Sequence, residues 1–111
     1  MIVITTQCFS PKIGGIESLM TGMADAMSEV GKDVLVLADG RNTTDDKNKK
    51  YKIKRFSGWK PYRRRRKAIY LKKFIENNNV EAIYADSWKS IEYLKDVNIK
   101  IIVLAHGTEI P

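Results

Sequence analysis

Two adjacent glycines, Gly14 and Gly15, lie between a short apolar segment and a stretch of helical periodicity near the start of the chain. They let the backbone approach a ligand closely, because glycine has no side chain. The first amides of a helix lack partners within the helix and lie at the positive end of its dipole, so they can bind phosphate. The alternative is a turn in which Gly15 only caps the helix, since the dinucleotide pattern G-x-G-x-x-G is absent.

Four polar residues follow the last two apolar segments of the chain. Asp86 and His106 fall at predicted carboxyl ends of strands, where ligands bind in open parallel sheets. His106 is therefore a candidate for substrate contact, and the alternative is a hydrogen-bonded histidine of structural role. Asp86 is a candidate for accepting a substrate hydroxyl or for capping the next helix. Thr108 and Glu109 either bind a hydroxyl or only shape the turn.

Short apolar segments alternate with longer segments of helical period, which is typical of strand and helix units in a mainly parallel sheet. The expected strands are residues 2–7, 33–39, 51–57, 80–86 and 99–106, and the expected helices are 16–30, 61–77 and 87–96, the last with Ser87 as its N-cap. This order predicts an α/β fold, a Rossmann-like three-layer sandwich with the strand order 3-2-1-4-5. The order reverses between the first and fourth strands, where a ligand is expected.

The apolar spacing also predicts which side chains are buried. The first helix is expected to end at Gly31 and to bury Ile16, Leu19, Met20, Met23, Met27 and Val30. The second, with Pro61 in its first turn, is expected to bury Ala68, Leu71, Phe74 and Ile75. In the third strand we expect one face with Lys52, Lys54 and Phe56 and another with Tyr51, Ile53 and Arg55.

Length and composition restrict the class of protein. A chain of 111 residues can form one core, which excludes two lobes with a cleft between them within this chain. Its longest apolar runs have five residues, against roughly 20 for a membrane span. The amino terminus has no basic residues before its short apolar stretch, which argues against a signal peptide. The single Cys8 fits a reducing compartment, so we expect a cytoplasmic protein.

The net charge of +7 is concentrated in one part of the chain. Between Lys47 and Ile75 there are 14 basic residues and no acid, whereas the remainder has six basic and 13 acidic residues. Five consecutive cations, Arg63, Arg64, Arg65, Arg66 and Lys67, fall in the first turns of the second helix, where the dipole disfavours positive charge. We expect Arg64 to point toward the buried stripe and the other three arginines to point outward.

We call the five consecutive cations, Arg63 to Lys67, the basic patch, and three explanations of it remain open. It binds an anionic membrane surface or an anionic glycan or lipid-linked acceptor, it binds nucleic acid, or it is a solvated face. Nucleic acid is the least favoured partner, because no DNA-binding or RNA-binding motif accompanies the arginines.

The glycine loop and the region of His106 together resemble the N-terminal domain of family 4 glycosyltransferases of the GT-B fold. The family's first strand is followed by an aromatic-x-Pro-x-x-Gly-Gly-x-Glu loop, and the matching residues are Phe9, Pro11, Gly14, Gly15 and Glu17. A second match is the sequence from His106 to Glu109, which is similar to the family's His-Gly or His-Asp turn. The resemblance spans the whole chain.

The resemblance implies a retaining enzyme that transfers a hexose from a nucleotide-sugar donor to a hydroxyl acceptor, without a metal or other cofactor. The Gly14 and Gly15 amides would approach the donor diphosphate, and His106 would act as the catalytic contact near the reacting carbon. The acceptor would be a glycan or a lipid-linked molecule, and Asp86, Thr108 and Glu109 are the candidates for binding it. Peripheral attachment to the inner face of a membrane would follow for the basic patch.

The family's C-terminal donor domain, with its paired glutamates of E-x7-E spacing, has no counterpart in the chain. The resemblance therefore implies that residues 1–111 correspond to part of the N-terminal, acceptor-side domain and are inactive without a second lobe. The alternative from another class is a stand-alone, non-catalytic Rossmann-like module that uses its basic helix to bind an anionic partner.

Overall fold

The computed structural model of the chain describes residues 1–6, 15–40, 44–47, 49–86 and 99–103. The strands within these ranges are β1 (Ile2–Thr6), β2 (Val34–Asp39), β3 (Lys52–Phe56), β4 (Ala82–Ala85) and β5 (Lys100–Val103). The helices are α1 (Gly15–Glu29), α2 (Thr44–Lys47) and α3 (Lys60–Asn77). The helix predicted at 87–96, its cap Ser87 and the predicted end of the last strand lie outside the described residues.

The five strands form one parallel sheet in the order β3-β2-β1-β4-β5, which confirms the predicted order. β1 lies at the centre, with Ile4 opposite Val36 of β2 and Tyr84 of β4. Every residue of β1 is buried, as expected for a strand covered on both faces. The fold is therefore a Rossmann-like α/β sandwich, and its strand order reverses between β1 and β4.

Helix α1 packs on one face of the sheet through a narrower stripe than the sequence predicted. Met20 and Ala24 are fully buried, and Met23 and Met27 pack at the margin of the same cluster. Leu19 and Val30 were predicted to be buried, and this prediction is wrong. They are 46% and 76% exposed. The small Ala24 shifts the centre of the buried stripe, because its side chain allows a close approach to the sheet.

The carboxyl end of α1 has the geometry of a Schellman motif. The Gly31 N–H donates to the Ser28 carbonyl at 3.1 Å, and the Lys32 N–H donates to the Met27 carbonyl at 3.1 Å. Gly31 has a φ of +90°, a conformation that glycine adopts without steric cost. The predicted end of the helix at Gly31 is thus confirmed.

Helix α3 packs on the opposite face of the sheet and begins at the carboxyl edge, because it follows β3 directly. Ala68 and Leu71 are buried, and Phe74 and Ile75 pack against the same cluster, as predicted. Pro61 lies in the first turn, where its missing N–H costs no hydrogen bond. The first two turns of α3, which carry the basic patch, therefore lie beside the strand ends.

Strand β3 forms one edge of the described sheet and has the two faces that its alternation predicts. Phe56 belongs to the core under α3, and Lys54 Nζ lies 4.9 Å from the centre of the Tyr70 ring on that side. Tyr51 and Ile53 belong to the core under α1. The single-turn helix α2 was not predicted, since its sequence has no apolar period.

Candidate functional site

The ends of β1, β2 and β4 form a polar cluster where the strand order reverses. Thr6 ends β1 and donates its hydroxyl to Asp86 Oδ2 at 2.9 Å. Asp86 follows β4, and its N–H donates to the Thr5 carbonyl at 3.4 Å. Thr6 is fully buried and Asp86 is 4% exposed. Buried polar groups are costly unless they are paired, so these contacts hold the ends of two neighbouring strands together.

Lys67 of α3 connects this pair to the end of β2. Its Nζ lies 2.6 Å from Asp39 Oδ1 and donates to the Thr6 carbonyl at 3.1 Å. The residue is only 3% exposed. A lysine is rarely buried to this extent without a charged partner, and Asp39 supplies that charge.

Arg63 reaches the same carboxylate from one turn earlier in α3. Its Nε lies 3.1 Å from Asp39 Oδ2, and its Nη1 donates to the Gly58 carbonyl at 3.2 Å. Residues four positions apart lie on one face of a helix, so Arg63 and Lys67 can bracket one carboxylate. We call Thr6, Asp39, Arg63, Lys67 and Asp86 the carboxyl-edge cluster.

Burial lowers the pKa of Lys67 below its ordinary value, because the charged ammonium loses its hydration. Asp39 opposes this effect through its charge and its hydrogen bond, and Asp86 opposes it through its charge. The nearby Arg63 lowers the pKa further. The cluster therefore holds a cation whose proton is bound less firmly than that of a surface lysine.

The expected outward orientation of Arg63 is wrong, and Lys67 of the same patch does not face solvent either. Lys67 is buried, and the Arg63 side chain is only 17% exposed and lies against Asp39. The physical reason is the buried carboxylate at the end of β2, which needs positive charge and lies beside this face of the helix. Asp39 also offsets the unfavourable position of these cations at the start of a helix.

The remaining patch is smaller and mixed with aromatic rings. Arg65 and Arg66 are exposed, and Arg64 is half-buried. The Arg66 guanidinium carbon lies 5.6 Å from the centre of the Tyr62 ring, and its Nη1 donates to the Ser57 carbonyl at 3.0 Å. Trp59 and Tyr62 are 79% and 61% exposed. We call Trp59, Tyr62, Arg65 and Arg66 the helix-start patch.

The predicted site residues are only partly within the described ranges. Gly15 is the first residue of α1, and a Cβ added to it would meet no described atom within 4 Å. Asp86 lies at the predicted strand end. Gly14, His106, Thr108 and Glu109 lie outside the described residues, as do Phe9 and Pro11 of the matched loop.

Two signals in the sequence could have identified the carboxyl-edge cluster. Asp39 is the last residue of a buried strand, so it must lie at the carboxyl edge. Lys67 is four positions before the buried Leu71, which places it on the buried stripe of α3 rather than on the solvent face. The run of five cations obscured this periodicity.

Within the described ranges there is no group of three or more His, Cys, Asp and Glu side chains that could hold a metal ion. None of the helices described is long and apolar enough to cross a membrane. Comparison of the chain with models of known protein families and with curated proteins finds no match.

Proposed function

We propose that the chain is the acceptor-side domain of a retaining glycosyltransferase similar to family 4. In this proposal a second lobe completes the site, and a hexose passes from a nucleotide-sugar donor to a hydroxyl acceptor. The observation that carries the proposal is the start of α1 at Gly15, on the carboxyl edge of a sheet whose order reverses between β1 and β4. Phosphate groups bind at this position in such folds.

The surroundings of Gly15 support close approach by a ligand. The described structure leaves open space where a side chain would extend, and Gly15 does not have the positive φ that would require glycine. Glycine at this position therefore has no evident role in the described packing. A phosphate that contacts the first amides of α1 would account for it.

The proposed roles follow from the charge that develops as the sugar leaves the donor. Gly14 and Gly15 amides stabilise the departing diphosphate, and His106 contacts the sugar near the reacting carbon. Thr108 and Glu109 bind the acceptor. Asp86 acts indirectly, by holding the strand end, because its carboxylate is nearly buried and accepts the Thr6 hydroxyl. No metal or other cofactor takes part.

The helix-start patch favours an anionic acceptor, either a glycan or a lipid-linked molecule at the inner face of a membrane. Exposed aromatic rings next to arginines are suited to the boundary between lipid headgroups and water. The same patch favours a second candidate function, a stand-alone binding module that docks on an anionic partner without catalysis. The two candidates differ at Gly15, which only the glycosyltransferase proposal requires.

Titration of the chain with inorganic pyrophosphate and with a panel of nucleotide hexoses tests the proposal. Backbone amide NMR signals are expected to shift at the start of α1 and at the ends of β1 and β4. The expected dissociation constant is on the order of millimolar, because one lobe supplies only part of the phosphate contacts. The chain alone is expected to show no sugar transfer.

A matched pair of variants makes the test specific. Gly15→Ala is expected to remove the pyrophosphate-induced shifts without loss of stability, since the added methyl group meets no described atom. Gly22→Ala, an equal change within α1, also meets no described atom and should leave the shifts unchanged. Equal binding by Gly15→Ala and the natural chain would contradict the glycosyltransferase proposal and favour the binding module.

A further inference from the structure

The outer edge of β3 opens onto a surface cavity of about 540 Å³. Five consecutive residues line it, Tyr51, Lys52, Ile53, Lys54 and Arg55. Side chains alternate between the two faces of a strand, so five consecutive residues can line one cavity only where the edge of the backbone faces it. The cavity therefore follows the strand edge, with α2 on one side and Tyr70 of α3 on the other.

The pairing with β2 identifies the backbone groups that face this cavity. The Gly40 N–H donates to the Phe56 carbonyl at 2.9 Å, so the main-chain groups of Phe56 point toward β2. The side to which the N–H and C=O groups point alternates from one residue of a strand to the next. The main-chain groups of Lys52 and Lys54 therefore also pair with β2 in the parallel ladder. The N–H and C=O of Ile53 point the other way, into the cavity.

The charge around this edge is positive. Lys47, Lys52 and Lys54 line the cavity and are exposed. The Asp46 carboxylate is bound by Arg55 through two hydrogen bonds of 2.8 Å, so its charge is already neutralised. None of the three lysines lies within ion-pair distance of a carboxylate that the structure describes.

Charge also selects among the strands that could pair with this edge. A second copy of β3 would bring Lys52 and Lys54 against the same lysines, and like charges on facing strands repel. A strand with carboxylates at alternate positions would place them beside Lys52 and Lys54, which share one face. The residue between them would face the half-buried Ile53 and is expected to be apolar.

We propose that the outer edge of β3 binds an extended acidic peptide segment of a partner protein as an additional strand. The main-chain groups of Ile53 supply hydrogen bonds, and Lys52 and Lys54 select glutamate or aspartate at alternate positions of the peptide. The site is separate from the carboxyl-edge cluster and is not part of the proposed sugar transfer.

The probe is a blocked, dye-labelled heptapeptide of alternating glutamate and valine, titrated by fluorescence anisotropy. A second peptide of the same composition, with its glutamates grouped at one end, controls for simple charge attraction. The alternating peptide is expected to bind at least about tenfold more tightly than the grouped one, because only it places every carboxylate on the lysine face. The Ile53 amide is expected to become protected from hydrogen exchange, while the Lys54 amide, already paired with β2, changes little.

Three variants locate the site. Lys52→Glu/Lys54→Glu is expected to weaken binding at least about tenfold, by charge reversal. Lys73→Glu/Lys100→Glu makes the same change in net charge at exposed positions of α3 and β5 and should bind as the natural chain does. Ile53→Pro removes the outward N–H while sparing the ladder to β2, so it should abolish binding and leave the circular dichroism spectrum unchanged.

Several results would overturn the proposal. Equal binding of the two peptides, or equal losses in the two double variants, would mean general electrostatic attraction. Absence of binding to the natural chain would mean that the edge lysines only protect β3 from aggregation, a common role of lysine on edge strands. Where Ile53→Pro alters the fold, unchanged hydrogen exchange at Ile53 in the natural chain with saturating peptide is the decisive contrary result.

Discussion

Lys67 Nζ lies 2.6 Å from Asp39 Oδ1, with side chains that are only 4% and 8% exposed. This contact joins the second turn of α3 to the last residue of β2. The same ammonium donates to the Thr6 carbonyl, so one side chain holds a helix and two strand ends in register. The carboxyl edge is therefore fixed by charge as well as by apolar packing.

Replacing Lys67 with methionine is expected to destabilise the fold by about 2–3 kcal/mol, because a buried carboxylate loses one of its two cationic partners. Asp39→Asn should lower the free energy of unfolding by about 3–5 kcal/mol, since Arg63 and Lys67 then lose the carboxylate that they share. Urea denaturation monitored by circular dichroism measures both values.

The double variant Asp39→Asn/Lys67→Met separates pairing from packing. We expect its loss to be smaller than the sum of the single losses, because neither remaining group is a buried charge. Additive losses would show that the ion pair contributes nothing beyond the separate packing of the two side chains.

The lowered pKa of Lys67 predicts how stability depends on pH. Between that pKa and the ordinary value of 10.5, the unfolded chain keeps a proton that the folded chain has released. Stability rises with pH where the unfolded state binds more protons. The free energy of unfolding of the natural chain relative to Lys67→Met is thus expected to be flat below this window and to rise within it. Denaturation curves of both proteins from neutral pH to pH 10.5 test this. If the difference in free energy of unfolding falls with pH, the charge of Asp39 outweighs burial and raises the pKa of Lys67.

Tyr51 is expected to have the opposite effect on stability at high pH. Burial, followed by its 2.6 Å hydrogen bond to Asp25 Oδ1, raises the pKa of its hydroxyl above the ordinary value of 10.0. Above that value the unfolded chain loses a proton that the folded chain retains, so stability declines as the pH rises.

Tyr51→Phe should remove this decline and cost about 1 kcal/mol at neutral pH through loss of the hydrogen bond. The measurement is the urea midpoint between pH 8 and pH 11. An equally steep decline in the variant would assign it to other groups.

Gly22, within α1, and Gly31, just after its carboxyl end, should respond oppositely to substitution by alanine. Gly31→Ala forces a Cβ into a φ of +90° and is expected to destabilise the fold by about 1–2 kcal/mol. Gly22→Ala lies within the helix, where the added methyl group meets no described atom, and should stabilise by up to about 1 kcal/mol. Thermal denaturation compares them, and equal effects would contradict the Schellman geometry.

The helix-start patch is expected to bind anionic membranes. Vesicles with phosphatidylglycerol should float more of the chain than vesicles of phosphatidylcholine alone. Arg65→Glu/Arg66→Glu should reduce binding at least about tenfold, given roughly 1 kcal/mol per cation near a charged surface. Lys73→Glu/Lys100→Glu changes the net charge equally at other exposed positions and serves as the control. Equal losses in both variants would assign binding to net charge rather than to this patch.

Sequence patterns predicted the sheet order because each strand is a short apolar run. The segments that connect the strands then restrict which strands can be neighbours in the sheet. The patterns failed where a side chain departs from its usual environment. Lys67 belongs to the most basic run of the chain, yet the spacing to Leu71 puts it inside. Its partner Asp39 is distant in sequence, and only the parallel arrangement of the strands brings the two together.

The positions of Leu19 and Ala24 illustrate a second limit. Periodicity identifies a face of the helix, but the exact centre of that face depends on how closely the helix approaches the sheet. A small residue at the contact is invisible to a search for large apolar side chains. For the proposed catalytic residues, including His106, the sequence resemblance alone carries the prediction.

The run of 14 basic residues serves two different electrostatic purposes. Arg55, Arg63 and Lys67 are engaged by buried carboxylates, where dissolved ions screen little. Arg65, Arg66, Lys52 and Lys54 are exposed, and added salt weakens their attraction for any partner. Raising the ionic strength should therefore weaken the binding of partners to the surface at salt concentrations that leave the fold stable. The two sets of cations respond differently although they are neighbours in the sequence.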